Sequence, residues 1–195
     1  MTKKDIIDLV EGDKWMMDTL KIARALDLPD WMIGAGFVRN KVWDFLHGYT
    51  KRTLYPDIDL IYFDKNDLAC SSPYVETTEI EEKLQKQLPD VGIPWSVTNQ
   101  ARMHTLKHFR PYISSEDALS YWLETATCVA IRLEKDDSLT LITPLGIEDL
   151  VNLEIKPNPN YISYRKQIGL QAYKERVRNK HWEQKWPRLK LFNMS

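Results

Sequence analysis

The feature that most constrains this chain is a glycine turn that is followed, one helix later, by a pair of aspartates. Residues 31–33 form a short apolar run, and Gly34-Ala35-Gly36 follows it directly. Apolar residues then recur at helical spacing from 38 to 46. The segment 57–63 begins with Asp57-Ile58-Asp59 and is rich in β-branched and aromatic residues. The pattern predicts a strand, a tight turn, a helix and a second strand, in that order.

This order of elements has a specific chemical use. Glycines let the backbone approach a ligand closely, and a helix that begins at a glycine turn offers unpaired N–H groups to a phosphate. The two-residue period of a strand places Asp57 and Asp59 on one face, where their charges repel unless a cation binds both. Mg²⁺ is commonly held by carboxylates together with substrate phosphates. The sequence therefore predicts a site for a nucleoside triphosphate and Mg²⁺ (or Mn²⁺), although either motif alone is more often a turn or an exposed loop.

Two common nucleotide-binding motifs are excluded. No Gly-Lys-Ser or Gly-Lys-Thr follows the glycines, so the turn is not a P-loop. The third glycine of a dinucleotide-binding fingerprint is also missing, as is the later acidic residue that accompanies it.

The rest of the chain predicts an α/β (α+β) fold, in which helices flank a small mixed sheet and further helices form extensions at the N- and C-termini. Helical patterns cover 3–10 and 13–27, and an alternating segment at 95–98 predicts a further strand. Two apolar segments within 128–142 flank a polar turn and predict a hairpin. A basic, aromatic helix is expected over 161–186.

The charge is distributed unevenly. Residues 156–195 contain ten Lys and Arg but only two Glu, whereas the whole chain has a net charge of −1. This segment either packs on the acidic remainder or binds an external polyanion such as RNA. Packing is the favoured interpretation, because the predicted helix also has an apolar set that solvent would not hold: Tyr161, Tyr164, Ile168, Tyr173 and Val177.

Composition also indicates where the protein works. No run of about 18 apolar residues is present, so no membrane span is expected. The N-terminal residues are charged and lack an apolar signal core, so the expected location is cytoplasmic. The two cysteines, Cys70 and Cys128, are too few for a disulfide framework or a four-ligand zinc site.

The segment from Gly34 to Asn40, followed by Asp57-Ile58-Asp59-Leu60, resembles the signature of the nucleotidyltransferase superfamily. CCA-adding enzymes and bacterial poly(A) polymerases have Gly-Gly-x-Val-Arg-Asp and then Asp-x-Asp, so Ala35 replaces a glycine and Asn40 replaces an aspartate. Further segments resemble a small bacterial nucleotidyltransferase family of unassigned function: 42–44, 60–64, 95–104 and 144–150. The resemblance implies a nucleotidyltransferase domain at 1–155, with 156–195 packed on it as a basic helical extension.

The resemblance also implies roles for individual residues. Asp57 and Asp59 are the expected catalytic and metal-binding pair, and the turn Gly34-Ala35-Gly36 is expected to cradle the β- and γ-phosphates. Arg39 and Asn40 follow in the first turns of the helix and could reach phosphate oxygens. Arg39 could equally lie on the surface or pair with an aspartate.

Two more candidates follow the third predicted strand. Arg102 and His104 could bind the triphosphate or an acceptor, or could hold the fold together by hydrogen bonds. The superfamily usually has a third carboxylate on this strand, but residues 95–99 contain no acid. Asn99 is the nearest polar residue, and its amide oxygen could bind Mg²⁺ without adding charge.

The expected reaction is transfer of a nucleoside monophosphate from a nucleoside triphosphate to an acceptor, with release of pyrophosphate. A small molecule or a protein is favoured over RNA as the acceptor, because 195 residues leave little room for a large tRNA-clamping body. The alternative is a catalytically inactive nucleotide- or RNA-binding module on the same fold. The missing third acid favours that alternative, and the Asp57/Asp59 pair opposes it.

Overall fold

A computed structural model describes residues 1–54, 56–66, 79–107 and 109–192. The strands are β1 (Met32–Gly34), β2 (Ile58–Tyr62), β3 (Trp95–Asn99), β4 (Ala130–Leu133), β5 (Leu139–Ile142), β6 (Glu154–Ile155) and β7 (Lys190–Leu191). The helices are α1 (Lys3–Glu11), α2 (Lys14–Arg24), α3 (Gly36–Leu46), α4 (Glu79–Gln87), α5 (Gln100–Lys107), α6 (Ser115–Leu119), α7 (Glu148–Val151), α8 (Pro159–Lys180) and α9 (Trp182–Lys185).

Five strands form one mixed sheet in the order β3-β2-β1-β4-β5. Strands β2 and β3 are parallel, whereas β1 pairs antiparallel with both β2 and β4. Strands β4 and β5 form the predicted hairpin. The predicted mixed sheet flanked by helices is therefore confirmed.

The sheet separates two sets of buried side chains. Ile33, Leu60, Val97 and Ile131 face the main core, which includes Val38 of α3. A smaller cluster on the other face contains Leu119 of α6, with Ile142 of β5 and three alternate residues of β1, β2 and β4: Met32, Ile61 and Ala130. Since both faces are covered there, residues 31–33 and 60–62 are continuous apolar runs rather than strict alternations.

The C-terminal segment packs into the main core. Trp186 lies 5.0 Å from Trp43 between ring centroids, and Trp182 lies 5.9 Å from the same ring. The indole N–H of Trp186 donates to Asp44 Oδ1 at 2.8 Å. These tryptophans are buried, so they are core residues rather than platforms for stacked bases. The division of the chain at residue 155 stays a prediction, since side chains from both sides of it share this core.

The C-terminal region also differs from the expected single helix over 161–186. Helix α8 is kinked at Lys166, whose φ of 48° and ψ of −128° are not helical, and it ends before His181, which is left-handed. Gly169 sits in the kink, where an added Cβ would lie 2.8 Å from the Cβ of Arg165. The parallel pairing of β6 with β7 was not predicted, because two-residue strands show no periodicity.

Two sequence-based expectations concern single features. Cys128 is buried and free, and Cys70 lies outside the described residues. Among the described helices, none has both the length and the apolar character that a bilayer crossing requires.

Candidate active site

The glycine turn and the aspartate pair meet at one edge of the sheet. Met32 pairs with Ile61 and Ile33 pairs with Leu60 in the antiparallel ladder between β1 and β2. Continuing this register by one residue places Gly34 beside Asp59, on the same face. The turn that leads from β1 into α3 therefore lies next to the carboxylates.

The two glycines of the turn have different surroundings. An added Cβ on Gly34 would lie 3.1 Å from the indole ring of Trp122, so a side chain there would require this ring to move by a few tenths of an ångström. An added Cβ on Gly36 would meet its neighbours at an ordinary 3.7 Å. Between them, Ala35 adopts a φ of 48° and a ψ of −115°, a conformation that suits glycine.

Helix α3 begins at this turn without a side-chain cap. Ala35 is the N-cap residue, and its own backbone N–H donates to the carbonyl of Val129 at 2.8 Å. The first N–H groups of a helix have no partner within the helix, so they are open to an external acceptor. The positive end of the helix dipole favours an anion there.

The electrostatic surroundings of Asp59 fit a cation site. Burial first, and then the charge of Asp57, raise the pKa of Asp59 to about 6. Three cations act in the opposite direction: Arg39 of α3, and Arg176 and Lys180 of α8. The pKa of Lys180 is itself lowered, first by burial and then by the charges of Arg176 and Arg39.

Arg39 and Asn40 lie together near the pair and are fixed by neighbours. Arg39 is buried, and it donates to Thr127 Oγ1 at 3.1 Å and to Asn40 Oδ1 at 2.9 Å. Its guanidinium stacks on Trp182, 4.6 Å from the ring centroid, and on Trp43 at 5.0 Å. Arg39 is thus not a surface residue, and its charge reaches Asp59 from a fixed position.

Asn99 is not brought to the pair. In the parallel ladder, Asp59 is opposite Ser96 and Ile61 is opposite Thr98, so Asn99 lies on the other face of the sheet. Its side chain binds the backbone of Asp64, accepting from the N–H at 3.1 Å and donating to the carbonyl at 2.8 Å. The residue beside Asp59 on β3 is therefore a serine rather than a third acid.

Arg102 and His104 make contacts that hold the fold together. Arg102 is buried in an ion pair with Glu81, whose Oε2 contacts its Nη2 and whose Oε1 accepts from its Nε at 3.2 Å. The Nδ1 atom of His104 lies 3.0 Å from the carbonyl oxygen of Ala101, and its ring meets Tyr112 edge-on. These contacts match the structural alternative that the sequence left open for both residues.

A second glutamate–arginine pair was not singled out from the sequence. Glu124 is fully buried, and its Oε1 lies 2.8 Å from Nε of Arg176. Among the described residues neither carboxylate oxygen has a hydrogen-bond partner of good geometry. The sequence signal was a single acid in the apolar and aromatic stretch 121–126, and its arginine partner lies far away along the chain.

A cavity of about 280 Å³, here called the aromatic cavity, adjoins Asp59. Its lining consists of the following side chains: Asp59, Ile61, Thr98, Gln100, Met103, Phe109, Tyr112, Tyr121, Trp122, Leu123, Glu124, Thr127, Tyr161 and Arg176. The rings of Phe109, Tyr121 and Tyr161 pack together, with the Phe109 centroid 5.2 Å from Tyr121 and 5.3 Å from Tyr161. The cavity therefore has aromatic walls and a few polar groups, as small-molecule sites commonly do.

The donor set fits a hard cation that is shared with a substrate. Burial and then the charge of Asp57 make the ionised form of Asp59 costly, and a bound Mg²⁺ or Mn²⁺ would stabilise it. Within the described part of the chain, no group of three or more His, Cys, Asp and Glu side chains could hold a metal by itself. Substrate phosphates would complete the ligand set in the usual arrangement for Mg²⁺.

Comparison with known proteins agrees with this geometry. A family model described as nucleotidyltransferase matches residues 21–191. The chain belongs to this nucleotidyltransferase family. An NMR structure reported to reveal a CCA-adding enzyme head domain is 33% identical, with a TM-score of 0.82; the match covers 98% of this chain and 96% of the other. Membership and likeness together support nucleotidyl transfer as the function of this nucleotidyltransferase.

More distant structures share the fold. A CCA-adding enzyme in complex with CTP is 17% identical over 97% of this chain and 43% of its own, with a TM-score of 0.54. A CCA-adding enzyme in complex with ATP is 19% identical over 94% and 41%, with a TM-score of 0.51. The nucleotidyltransferase described here thus spans less than half the length of these two enzymes. No curated protein matches its sequence.

Proposed function

We propose that this nucleotidyltransferase transfers a nucleoside monophosphate from a nucleoside triphosphate to an acceptor, with Mg²⁺ or Mn²⁺ bound by Asp57 and Asp59. The observation that carries the proposal is the register of β1 and β2, which continues to Gly34 beside Asp59, so that the turn into α3 lies next to the carboxylates. A phosphate site and a cation site are then adjacent, as nucleotidyl transfer requires.

Each part of the site has one task. The metal, when bound, supplies positive charge that stabilises the transition state at the α-phosphate. Gly34, Ala35 and Gly36 form the turn that leads into α3, and backbone N–H groups at the start of that helix hold the β- and γ-phosphates. The N–H of Ala35 is not one of them, because it donates to Val129. Arg39 and Asn40 border this cradle, and Lys180 of α8, whose charge acts on Asp59, offsets the charge of the leaving pyrophosphate.

The acceptor is proposed to be a small molecule or a protein rather than RNA. In the basic C-terminal segment Trp182 and Trp186 are buried against Trp43, so these rings are not presented to the bases of an RNA. The roles first given to Asn99, Arg102 and His104 are not part of this proposal, since their side chains are engaged elsewhere.

The first test concerns the metal. Mg²⁺ or Mn²⁺ is expected to raise the melting temperature, and more so with a non-hydrolysable nucleoside triphosphate analogue, because both bind only the folded state. The double variant Asp57→Asn with Asp59→Asn should lose this rise without losing intrinsic stability, since the metal-free carboxylates repel. Differential scanning calorimetry measures both quantities.

The matched control is Asp8→Asn with Asp18→Asn, which removes the same charge from two exposed helical ion pairs. This control should respond to metal like the wild type. A metal response that persists in the Asp57/Asp59 variant would place the cation elsewhere and contradict the proposal.

The second test separates catalysis from binding alone. Ser96, instead of an acid, lies opposite Asp59, and this favours a binding module as the second candidate function. Incubation with Mg²⁺ and α-³²P-labelled triphosphates in a cell extract should release pyrophosphate and transfer the label to an acceptor. Tight triphosphate binding without pyrophosphate release would favour the binding module.

A further inference from the structure

The floor of the aromatic cavity extends from Asp59 along β2 and β3, away from the start of α3, while Trp122 of its wall reaches back to Gly34. Ile61 is the next residue of β2 on the same face, and it pairs with Met32, two residues before Gly34. Thr98 of β3 lies beside Ile61 and continues the floor of the cavity. The phosphate cradle and this floor are therefore on opposite sides of Asp59.

In-line displacement at phosphorus requires the attacking group and the leaving group to lie on opposite sides of the transferred phosphoryl group. With pyrophosphate held at the start of α3, the attacking hydroxyl has to come from the side of Ile61 and Thr98. We infer that the aromatic cavity is the acceptor pocket of this nucleotidyltransferase, an inference that rests on the function proposed above.

Glu124 indicates what the acceptor carries. A fully buried carboxylate that lacks a well-aligned hydrogen-bond donor is costly unless a ligand supplies one. Arg176 already offsets its charge at 2.8 Å, so an uncharged donor, such as a hydroxyl or amide N–H, suits the site better than a second cation. Glu124 thus accepts a hydrogen bond from the acceptor and orients it.

The walls and the volume define the rest of the acceptor. Phe109, Tyr112, Tyr121, Trp122 and Tyr161 present ring faces and edges that pack well against a flat apolar body. About 280 Å³ lies just below the usual range of about 300–1,000 Å³ for ligand pockets, so one compact ring system fits and a stretch of polymer does not. The acceptor is therefore a flat, cyclic alcohol with one hydroxyl near Asp59 and a donor near Glu124.

The atoms balance without another reactant: the new bond joins the acceptor oxygen to the α-phosphorus, pyrophosphate leaves, and the hydroxyl proton passes to solvent.

The experiment uses two probes on the full chain, 2,6-dihydroxynaphthalene and 2-naphthol, which share a ring system and differ by one hydroxyl. Isothermal titration calorimetry should show that the first probe binds at least tenfold more tightly, because its second hydroxyl donates to Glu124. NMR shifts on binding should be confined to the aromatic cavity. Equal affinities, or shifts elsewhere, would overturn the inference.

Variants show whether Glu124 is responsible. Glu124→Gln should bring the two affinities together, whereas a loosened pocket would weaken both probes in parallel and leave their ratio intact. Glu116→Gln, an exposed glutamate of α6, is the matched control and should keep the tenfold ratio. If Glu124→Gln does not fold, Met103→Trp fills the cavity from α5 and should weaken both probes by at least tenfold.

A nucleotide analogue decides between an acceptor and a base pocket. With Mg²⁺ and a non-hydrolysable triphosphate analogue present, probe affinity should stay within twofold, since both sites are then occupied together. Displacement of the probe by the analogue would assign the cavity to the nucleotide base and overturn the inference. Probe binding that depends on Glu124, without metal-dependent binding of the analogue, would support the cavity as a ligand site and count against the proposed function alone.

Discussion

The two buried glutamate–arginine pairs differ in their hydrogen bonding and exposure. We call Glu81–Arg102 the closed pair and Glu124–Arg176 the open pair. Glu81 is held by Arg102 and by the backbone N–H of Asn99 at 2.6 Å, and both charged side chains are almost fully covered. Glu124 is equally buried, but its partner Arg176 is 40% exposed, and both line the aromatic cavity. The closed pair joins α4 to β3 and α5, whereas the open pair faces the space beside Asp59. Incomplete hydrogen bonding of a buried charge is thus the feature that distinguishes the candidate ligand-binding residue Glu124 from the structural residue Glu81.

Breaking the closed pair should have the largest effect. Arg102→Met leaves Glu81 charged and buried, and this should lower the free energy of unfolding by about 3–5 kcal/mol. Arg176→Met leaves Glu124 beside a cavity that water can enter, so its loss should be only about 1 kcal/mol. Urea denaturation of both variants measures the difference. Equal losses would mean that the two pairs have the same role.

Asp59, which lines the same cavity as the open pair, should make the stability of the protein depend on pH. The pKa of Asp59 is about 6 in the folded state and 3.8 in the unfolded chain, so the folded state holds the proton more tightly. Asp59 therefore lowers the free energy of unfolding as the pH rises from about 4 to about 6. Relative to the wild type, Asp59→Asn should be about 1–3 kcal/mol more stable at pH 8 than it is at pH 3.5.

Measuring this difference at several pH values cancels the titration of all other groups. Asp18→Asn, on the exposed surface of α2, removes the same charge and supplies the control. If the free energies of unfolding of wild type and Asp59→Asn differ by the same amount at every pH, the pKa of Asp59 is not raised in the folded state.

The smallest expected effects come from alanine substitutions at the two glycines of the turn. Gly34→Ala should cost about 1 kcal/mol, because its Cβ would press on Trp122 and move that ring off its rotamer. Gly36→Ala should change the free energy of unfolding by less than about 0.5 kcal/mol, since its Cβ meets ordinary contacts. Thermal denaturation, with Trp fluorescence as the probe, distinguishes the two. Equal costs would mean that the turn is uniformly tight.

The sequence predicted those parts of the fold that depend on neighbours in the chain. The β1–turn–α3 unit, the β4–β5 hairpin and the aspartate pair each follow from short-range patterns and the two-residue period. That period also places Asn99 on the face opposite Ser96, but the face next to Asp59 becomes known only from the register of β2 and β3.

Pairs that are distant in the chain could not be predicted in this way. Arg102 follows a strand as an active-site residue would, and only the position of Glu81 shows that it is structural. Arg176 looks like any other basic residue of a charged helix until the kink at Lys166 and the packing of α8 place it beside Glu124. Side-chain contacts across large sequence separations leave no local pattern.

The packing of the C-terminal segment sets an order of events during synthesis. The sheet is complete once residue 142 has been made, but Arg176 and Lys180 of α8 are made later. Trp182 and Trp186 then cover Trp43, and β7 closes on β6. A growing chain can therefore form its strands on the ribosome while the aspartate pair still lacks two of its surrounding cations. If the proposed function holds, the site for the triphosphate is completed only after α8 has docked.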